Sequence, residues 1–206
     1  MTAGADDRSR AAAIGCRAHT GWAALVVIAG GAARPVVVLR RRGELADPSG
    51  RVPRNVYQAS RALKRPEAAA RVEAAERIAA DRAAAALQQA VLEVKSASVV
   101  VRSCAVVVGA FAGAPLESIL ASHALAHAAE GRLYQTALLQ AAEACGLGAV
   151  AVPKRSIWEG GEAAIGVEQD ELRQRIAGLR REVGSPWAED QKLAALAALI
   201  ALARSS

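Results

Sequence analysis

Ser98–Val108 (SVVVRSCAVVV) is a β-branched run broken only by Arg102-Ser103, and it sets the architecture. It has no helical periodicity. A strand apolar along nearly its whole length must be covered on both faces, as in parallel sheets held between helix layers. Long helical patterns stand on either side of it. Before it, Glu67–Val94 carries Val72, Ala75, Ile78 or Ala79, Leu87, Val91 and Val94 at three- and four-residue steps, with Glu73/Arg77 as a favourably oriented i,i+4 pair. After it, the glycine-bearing turn Gly109–Pro115 leads into a helical stretch, Leu116–Cys145, with Gly131 as the place for a kink and Gly146 as its stop.

The remaining segments complete an alternating order. Residues 1–10 read as a flexible tail. Ala11–Cys16 is a short apolar strand, followed by a polar link over Arg17–Gly21 and a second strand at Trp22–Ala29. Gly30-Gly31 signals a turn, and Pro35–Arg42 is a third strand, so short connections join a meander of three. Ala46–Arg54 is a loop, Tyr57–Lys64 a short helix, and Pro66 opens the long helix that follows. Past the central strand come a fifth strand at Ala149–Val152, stopped by Pro153, and a glycine-rich, mixed-charge link at Gly160–Gly166. A polar helix at Glu168–Val183 and an alanine- and leucine-rich helix at Trp187–Ala203, capped by Ser185-Pro186, end the chain. This predicts one α/β domain over residues 11–206. Its sheet is mixed and five-stranded, an antiparallel meander of three plus two crossover strands, flanked by helices.

Composition narrows the function classes. Hydrophobic residues are 53% and charged residues 22%, which suits a globular chain and not a disordered one. Aromatics are only 3%, too few for the stacking platforms of RNA-recognition modules. The apolar stretches Trp22–Ala33 and Cys104–Leu116 fall short of the ~20 residues of a membrane span. The first ten residues carry acids where a secretory peptide is basic and then apolar. Cys16, Cys104 and Cys145 form no CxxC pair or zinc ribbon, and free thiols in apolar runs fit a reducing cytoplasm. There is no GxxxxGK[ST] loop, no GxGxxG after a strand and no GxSxG elbow, so kinase, Rossmann-type dinucleotide-binding and α/β-hydrolase readings fall away.

The net charge is +6, and the cations are clustered: Arg40, Arg41 and Arg42 are consecutive, with Arg51, Arg54, Arg61, Lys64 and Arg65 close behind. Such a surplus fits a phosphate-bearing partner. Arg40, Arg41, Arg42, Arg51 and Arg54, with Lys154 and Lys192, are the expected contacts to DNA or RNA.

Three blocks resemble a known family. Ile14-Gly15 followed by Thr20-Gly21-Trp22-Ala23 is similar to the first-strand segment of bacterial Holliday-junction resolvases, members of the ribonuclease H-like superfamily. Ala129-Glu130-Gly131, with Val150-Ala151-Val152-Pro153-Lys154, is similar to their passage from central helix to last strand. Glu189–Ala197 (EDQKLAALA) is similar to their final acidic, alanine-rich helix. The blocks also resemble a bacterial family with no assigned activity. The resemblance spans roughly residues 11–203 and implies a ribonuclease H-like fold and a nucleic-acid substrate. It also implies two magnesium ions held by acids on strand one, on strand four or its neighbouring helix, and on the last helix. Ala11–Gly21 and Ser98–Val108 contain no carboxylate, however, and only Asp190, beside Glu189, stands where the family places an acid. The two-metal site is therefore expected to be largely missing.

The remaining polar constellations form a different set. His123, His127 and Glu130 lie at i, i+4 and i+7 on one helix face, a spacing that suits either a transition metal or a hydrogen-bonded structural stripe. His19 lies just before Thr20-Gly21-Trp22, where the resemblance puts one wall of the cleft. Asp190 is in a first helical turn, which the helix dipole favours on its own account. If these converge, His19, His123, His127, Glu130 and Asp190 are the expected catalytic set, with Asp190 and Glu130 as candidate ligands for magnesium or manganese. The expected activity is binding or processing of nucleic acid. The alternative is a non-enzymatic scaffold that keeps the fold and packs as a homodimer.

Overall fold

The computed structural model describes residues 11–31, 33–97 and 99–205, so the expected tail at 1–10 and Ser98 lie outside the described residues. Five strands form one sheet: β1 Ala11–His19, β2 Trp22–Ala29, β3 Val36–Glu44, β4 Val100–Val108 and β5 Gly148–Pro153. Their order is β3-β2-β1-β4-β5. β1 pairs antiparallel with β2, and β2 with β3, whereas β4 runs parallel to both β1 and β5. This is the mixed sheet that the strand order predicted: helices carry the chain from β3 across to β4, which lies parallel beside β1, and from β4 to its parallel neighbour β5.

The helices are α1 Val56–Ser60, α2 Arg65–Val94, α3 Leu116–Ala121, α4 His123–Ala144, α5 Ile157–Ile165, α6 Gln169–Gly178, α7 Arg180–Val183 and α8 Glu189–Arg204. Period-two alternation sends each strand's side chains to two different cores. Ile14, Cys16, Leu25, Val27, Cys104 and Val106 pack under α2 and α4. Ala13, Val26, Ile28, Ala105 and Val107 pack under α8, backed by Ile157, Leu172 and Ile176 of α5 and α6. Both faces of the central strands are dry, which is why the sequence there shows no polar alternation.

α8 lies directly on β1. Every residue from Leu193 to Leu202 is buried, because the helix is enclosed by the sheet on one side and by α5 and α6 on the other. Its alanines allow a close approach, and Gly15 makes it possible: a Cβ there would stand 1.7 Å from the Ala194 carbonyl oxygen. The contact sets the position of the α8 N-terminus relative to the end of β1.

Four expected boundaries are corrected. β1 continues through Arg17-Ala18-His19, which the sequence presents as a polar link, because these residues pair with Ala24, Ala23 and Trp22 of β2. The two-residue turn Thr20-Gly21 then closes the hairpin, with Gly21 at φ +88°. The stretch Leu116–Cys145 breaks at Ser122 and runs unbroken through Gly131: Ser122 is extended, and its Oγ accepts from the Leu125 N–H at 3.3 Å to cap α4. Most of the expected Gly160–Gly166 link is helical, in α5, where Gly161 leaves room for Leu172 and Leu196. The last helix starts at Glu189, with the Gln191 side chain reaching back to the Ala188 N–H at 3.0 Å, and Ser185-Pro186 lie ahead of the cap. Trp187 is buried, and its Nε1 donates to the Ile176 carbonyl at 2.8 Å, tying this segment to α6. Among the described residues, no helix is long and apolar enough to cross a membrane.

Candidate functional site

Because β1, β4 and β5 are parallel, their C-terminal ends share one edge of the sheet, and the α8 N-terminus reaches the same edge. Arg17 and His19 alternate onto the α8 side of β1. His19 Nε2 lies 2.8 Å from Asp190 Oδ1, and Arg17 Nε lies 3.9 Å from the same oxygen. A carboxylate accepts, so Nε2 carries the hydrogen, and in the neutral ring Nδ1 is the nitrogen with the lone pair. The imidazole is also held in plane. It stacks on Trp22, its cross-strand partner, at 4.4 Å between centroids and 10° between planes. Arg42 covers that indole at 4.0 Å from the ring centre and pairs with Glu44.

The opposite wall is built by α1 and the start of α4. A cavity of about 550 Å³ is lined by His19, Thr20, Trp22, Arg54, Asn55, Gln58, His123, His127 and Glu130. All three histidines of the chain therefore border one space. Glu130 is only 2% exposed, and its Oε1 accepts from the Gln58 N–H at 3.0 Å. Burial pushes its carboxyl above the ordinary range, against the lowering effect of that hydrogen bond and of His127 and His123. His127 Nδ1 lies 3.9 Å from Glu130 Oε2 with its side chain 76% exposed. His123 Nδ1 donates to Gln58 Oε1 at 3.0 Å, and the Gln58 amide donates to the His123 carbonyl at 2.8 Å. Tyr134 stands one turn along α4, and its hydroxyl donates to the Arg54 carbonyl at 2.7 Å, fixing the loop ahead of α1. Burial raises that phenol to about 12.

Of the five expected catalytic residues, His19, His123, His127 and Glu130 line the cavity, and Asp190 joins it through His19. The cleft sits at the end of β1 between α1, α4 and the α8 N-terminus, and β4 contributes none of its lining. Gln58 is the residue that sequence reasoning missed. It ties Glu130 to His123 from 72 and 65 positions away, and a glutamine in a short helix carries no signal of that.

The cationic residues distribute differently from the single surface that their spacing suggests. Strand alternation divides Arg40-Arg41-Arg42 between the two faces of β3. Arg41 turns to α2 and bonds Glu93 at 2.6 Å and Gln89 at 2.9 Å. Arg40 bonds the Gly184 and Pro186 carbonyls on the α8 side, and Arg42 lies over Trp22. Arg51 bonds Ser49 Oγ within its own exposed loop. Lys192 is half-buried on α8. Arg54 borders the histidine cavity, and Lys154 and Arg155 border a second groove of about 560 Å³ where β4 and β5 end. Arg54, Lys154 and Arg155 are exposed, and among the described residues none has a carboxylate partner.

The sheet order, the crossovers and the helix layers are those of the ribonuclease H-like fold. Among solved structures, the chain is similar to RuvC of Thermus thermophilus in complex with Holliday junction substrate, with a TM-score of 0.54 at 12% identity over 94% of each chain. It is equally similar to the Thermus thermophilus RuvC structure, with a TM-score of 0.54 at 14% identity over 94% of this chain and 95% of that one. No protein-family model matches the chain, and no curated protein is similar to it in sequence.

The residues present do not fit the pair of hard cations that the resemblance implies. β1 and β4 carry no carboxylate. Asp190 is engaged by His19 and Arg17, and Glu130 is closed in with one oxygen held by a backbone N–H. Among the described residues, no three His, Cys, Asp or Glu side chains are grouped so as to hold a metal ion. Magnesium and manganese each demand several oxygen ligands, which neither Asp190 nor Glu130 can assemble here. What the cleft does offer is proton-transfer groups and cations.

Proposed function

We propose that the protein binds structured nucleic acid, branched DNA or RNA first among its forms, along the C-terminal edge of the sheet, without a two-ion carboxylate centre. The observation that carries this reading is the set of exposed cations at that edge, Arg54, Lys154 and Arg155, none of them paired with a carboxylate among the described residues. The ends of β1 and β5 are two strand spacings apart, roughly 10 Å, so these cations serve one ligand-sized surface. Neutralising phosphates releases condensed counterions, which makes such an edge a binding surface for nucleic acid in general, while its shape selects among forms. The similarity in fold to a RuvC solved with a Holliday junction supports a branched ligand.

Binding of a synthetic four-way junction and of a linear duplex of the same sequence, measured across a salt series, tests this. Affinity for the junction falls steeply with salt, and Arg54→Ala/Lys154→Ala/Arg155→Ala together weaken it by more than about tenfold. The same triple variant flattens the logarithmic salt slope by roughly 0.9 for each phosphate it no longer neutralises. Arg41→Ala, whose guanidinium is spent on α2, changes it little. A triple variant that binds like the wild type overturns the reading.

A further inference from the structure

We propose that the histidine cleft cleaves RNA without a metal ion, using the substrate's 2′-hydroxyl as nucleophile and His19 and His127 as the proton carriers. The proposal rests on the nucleic-acid reading above. Its starting point is the juxtaposition of all the chain's histidines around one cavity of about 550 Å³, in a fold whose strands carry no carboxylates for cations.

The groups have distinct roles. His19 is oriented by Asp190 at 2.8 Å and by the Trp22 ring, so its Nδ1 is a positioned base. Asp190 is thus a positioning residue. His127 is an open imidazole of the cleft, its side chain 76% exposed, and stands 3.9 Å from the buried Glu130. His123 has its Nδ1 committed to Gln58. Arg54 lines the same cavity and is the cation available to the non-bridging oxygens.

These groups move protons but do not assemble a hard-cation site, and that selects the substrate. A hydroxyl already adjacent to the phosphorus reacts with an effective molarity of about 10⁵–10⁸ M, an advantage that RNA supplies and DNA lacks. In the step, Nδ1 of His19 takes the 2′-hydroxyl proton as O2′ bonds to phosphorus. The P–O5′ bond breaks with its electron pair on O5′, which takes a proton from cationic His127. The products are a 2′,3′-cyclic phosphate and a 5′-hydroxyl end, and the two imidazoles return to their starting states by exchanging one proton with water.

The test uses the full chain in excess EDTA with an end-labelled RNA four-way junction, the same junction with 2′-O-methyl riboses, and its DNA counterpart. The expected result is fragments ending in cyclic phosphate from the RNA alone. His19→Gln and His127→Gln each slow cleavage about 100-fold or more while binding all three junctions as the wild type does. Binding without cleavage overturns this proposal alone, as do loss of cleavage in EDTA, equal cleavage of the 2′-O-methyl junction, or wild-type rates in both variants. Failure to bind any junction overturns the nucleic-acid reading and this proposal with it.

Discussion

The two ends of α8 belong to one helix but answer to opposite demands. From Leu193 to Leu202 it is enclosed, wholly apolar, and pressed so closely on β1 that Gly15 meets the Ala194 backbone. One turn earlier, Asp190 is 29% exposed and engages His19 and Arg17 at the rim of a cleft. The buried half is governed by shape, since nearly every added atom must displace another. The rim is governed by charge and hydrogen bonding in partial contact with water, where single pairs contribute little to stability. The tight seam therefore holds the functional end in place, and the functional end contributes little to holding the seam.

Three substitutions sharpen that contrast. Gly15→Ala puts a methyl group into the Ala194 carbonyl, and α8 must lift from β1. The expected loss is more than about 3 kcal/mol, read as a fall in the urea midpoint and as a weakened His19–Asp190 hydrogen bond. If Gly15→Ala unfolds like the wild type, the seam is not the constraint described here.

Glu130→Gln is next, and its effect depends on pH. Burial raises the carboxyl of Glu130 above 4.5, so the folded chain holds this proton more tightly than the unfolded chain does. Stability contributed by Glu130 is therefore greatest below the unfolded value and declines as pH rises through the raised one. Glutamine still accepts from the Gln58 N–H but carries no buried charge. The variant should melt higher than the wild type at neutral pH, the two converging in acid; a constant difference across the titration would contradict the linkage.

The smallest effect belongs to Asp190→Asn, which leaves the fold nearly untouched, within about 1 kcal/mol in chemical denaturation. Its consequence lies in the cleft, where the His19 ring loses its charged partner, visible as a shifted imidazole resonance in proton-detected spectra. A large loss of stability would mean that the rim supports the seam after all.

Much of the framework was legible because its signals are local. β4 shows itself as a strand through β-branching alone, and α2 through its three- and four-residue steps. The errors cluster where a local preference met a tertiary partner. Arg17-Ala18-His19 resembles a link but pairs in the sheet, and Gly160-Gly161 resembles a link but lies in a helix whose glycine accommodates Leu172 and Leu196. The triple arginine of β3 illustrates the same limit. Adjacent residues in a strand face opposite ways, so a basic run in sequence becomes two separate surfaces.

What the amino-acid order determined by itself is the succession of strands and helices and the absence of carboxylates from β1 and β4, since periodicity and residue identity need no third dimension. The tertiary structure decided the company each polar group keeps: His19 meets Asp190 across 171 positions, and Glu130 meets Gln58 across 72. Those meetings follow from where α8 docks against the sheet and α1 against α2 and α4. Docking is a property of packed surfaces and of the glycines that permit close approach, and no window of neighbouring residues records it.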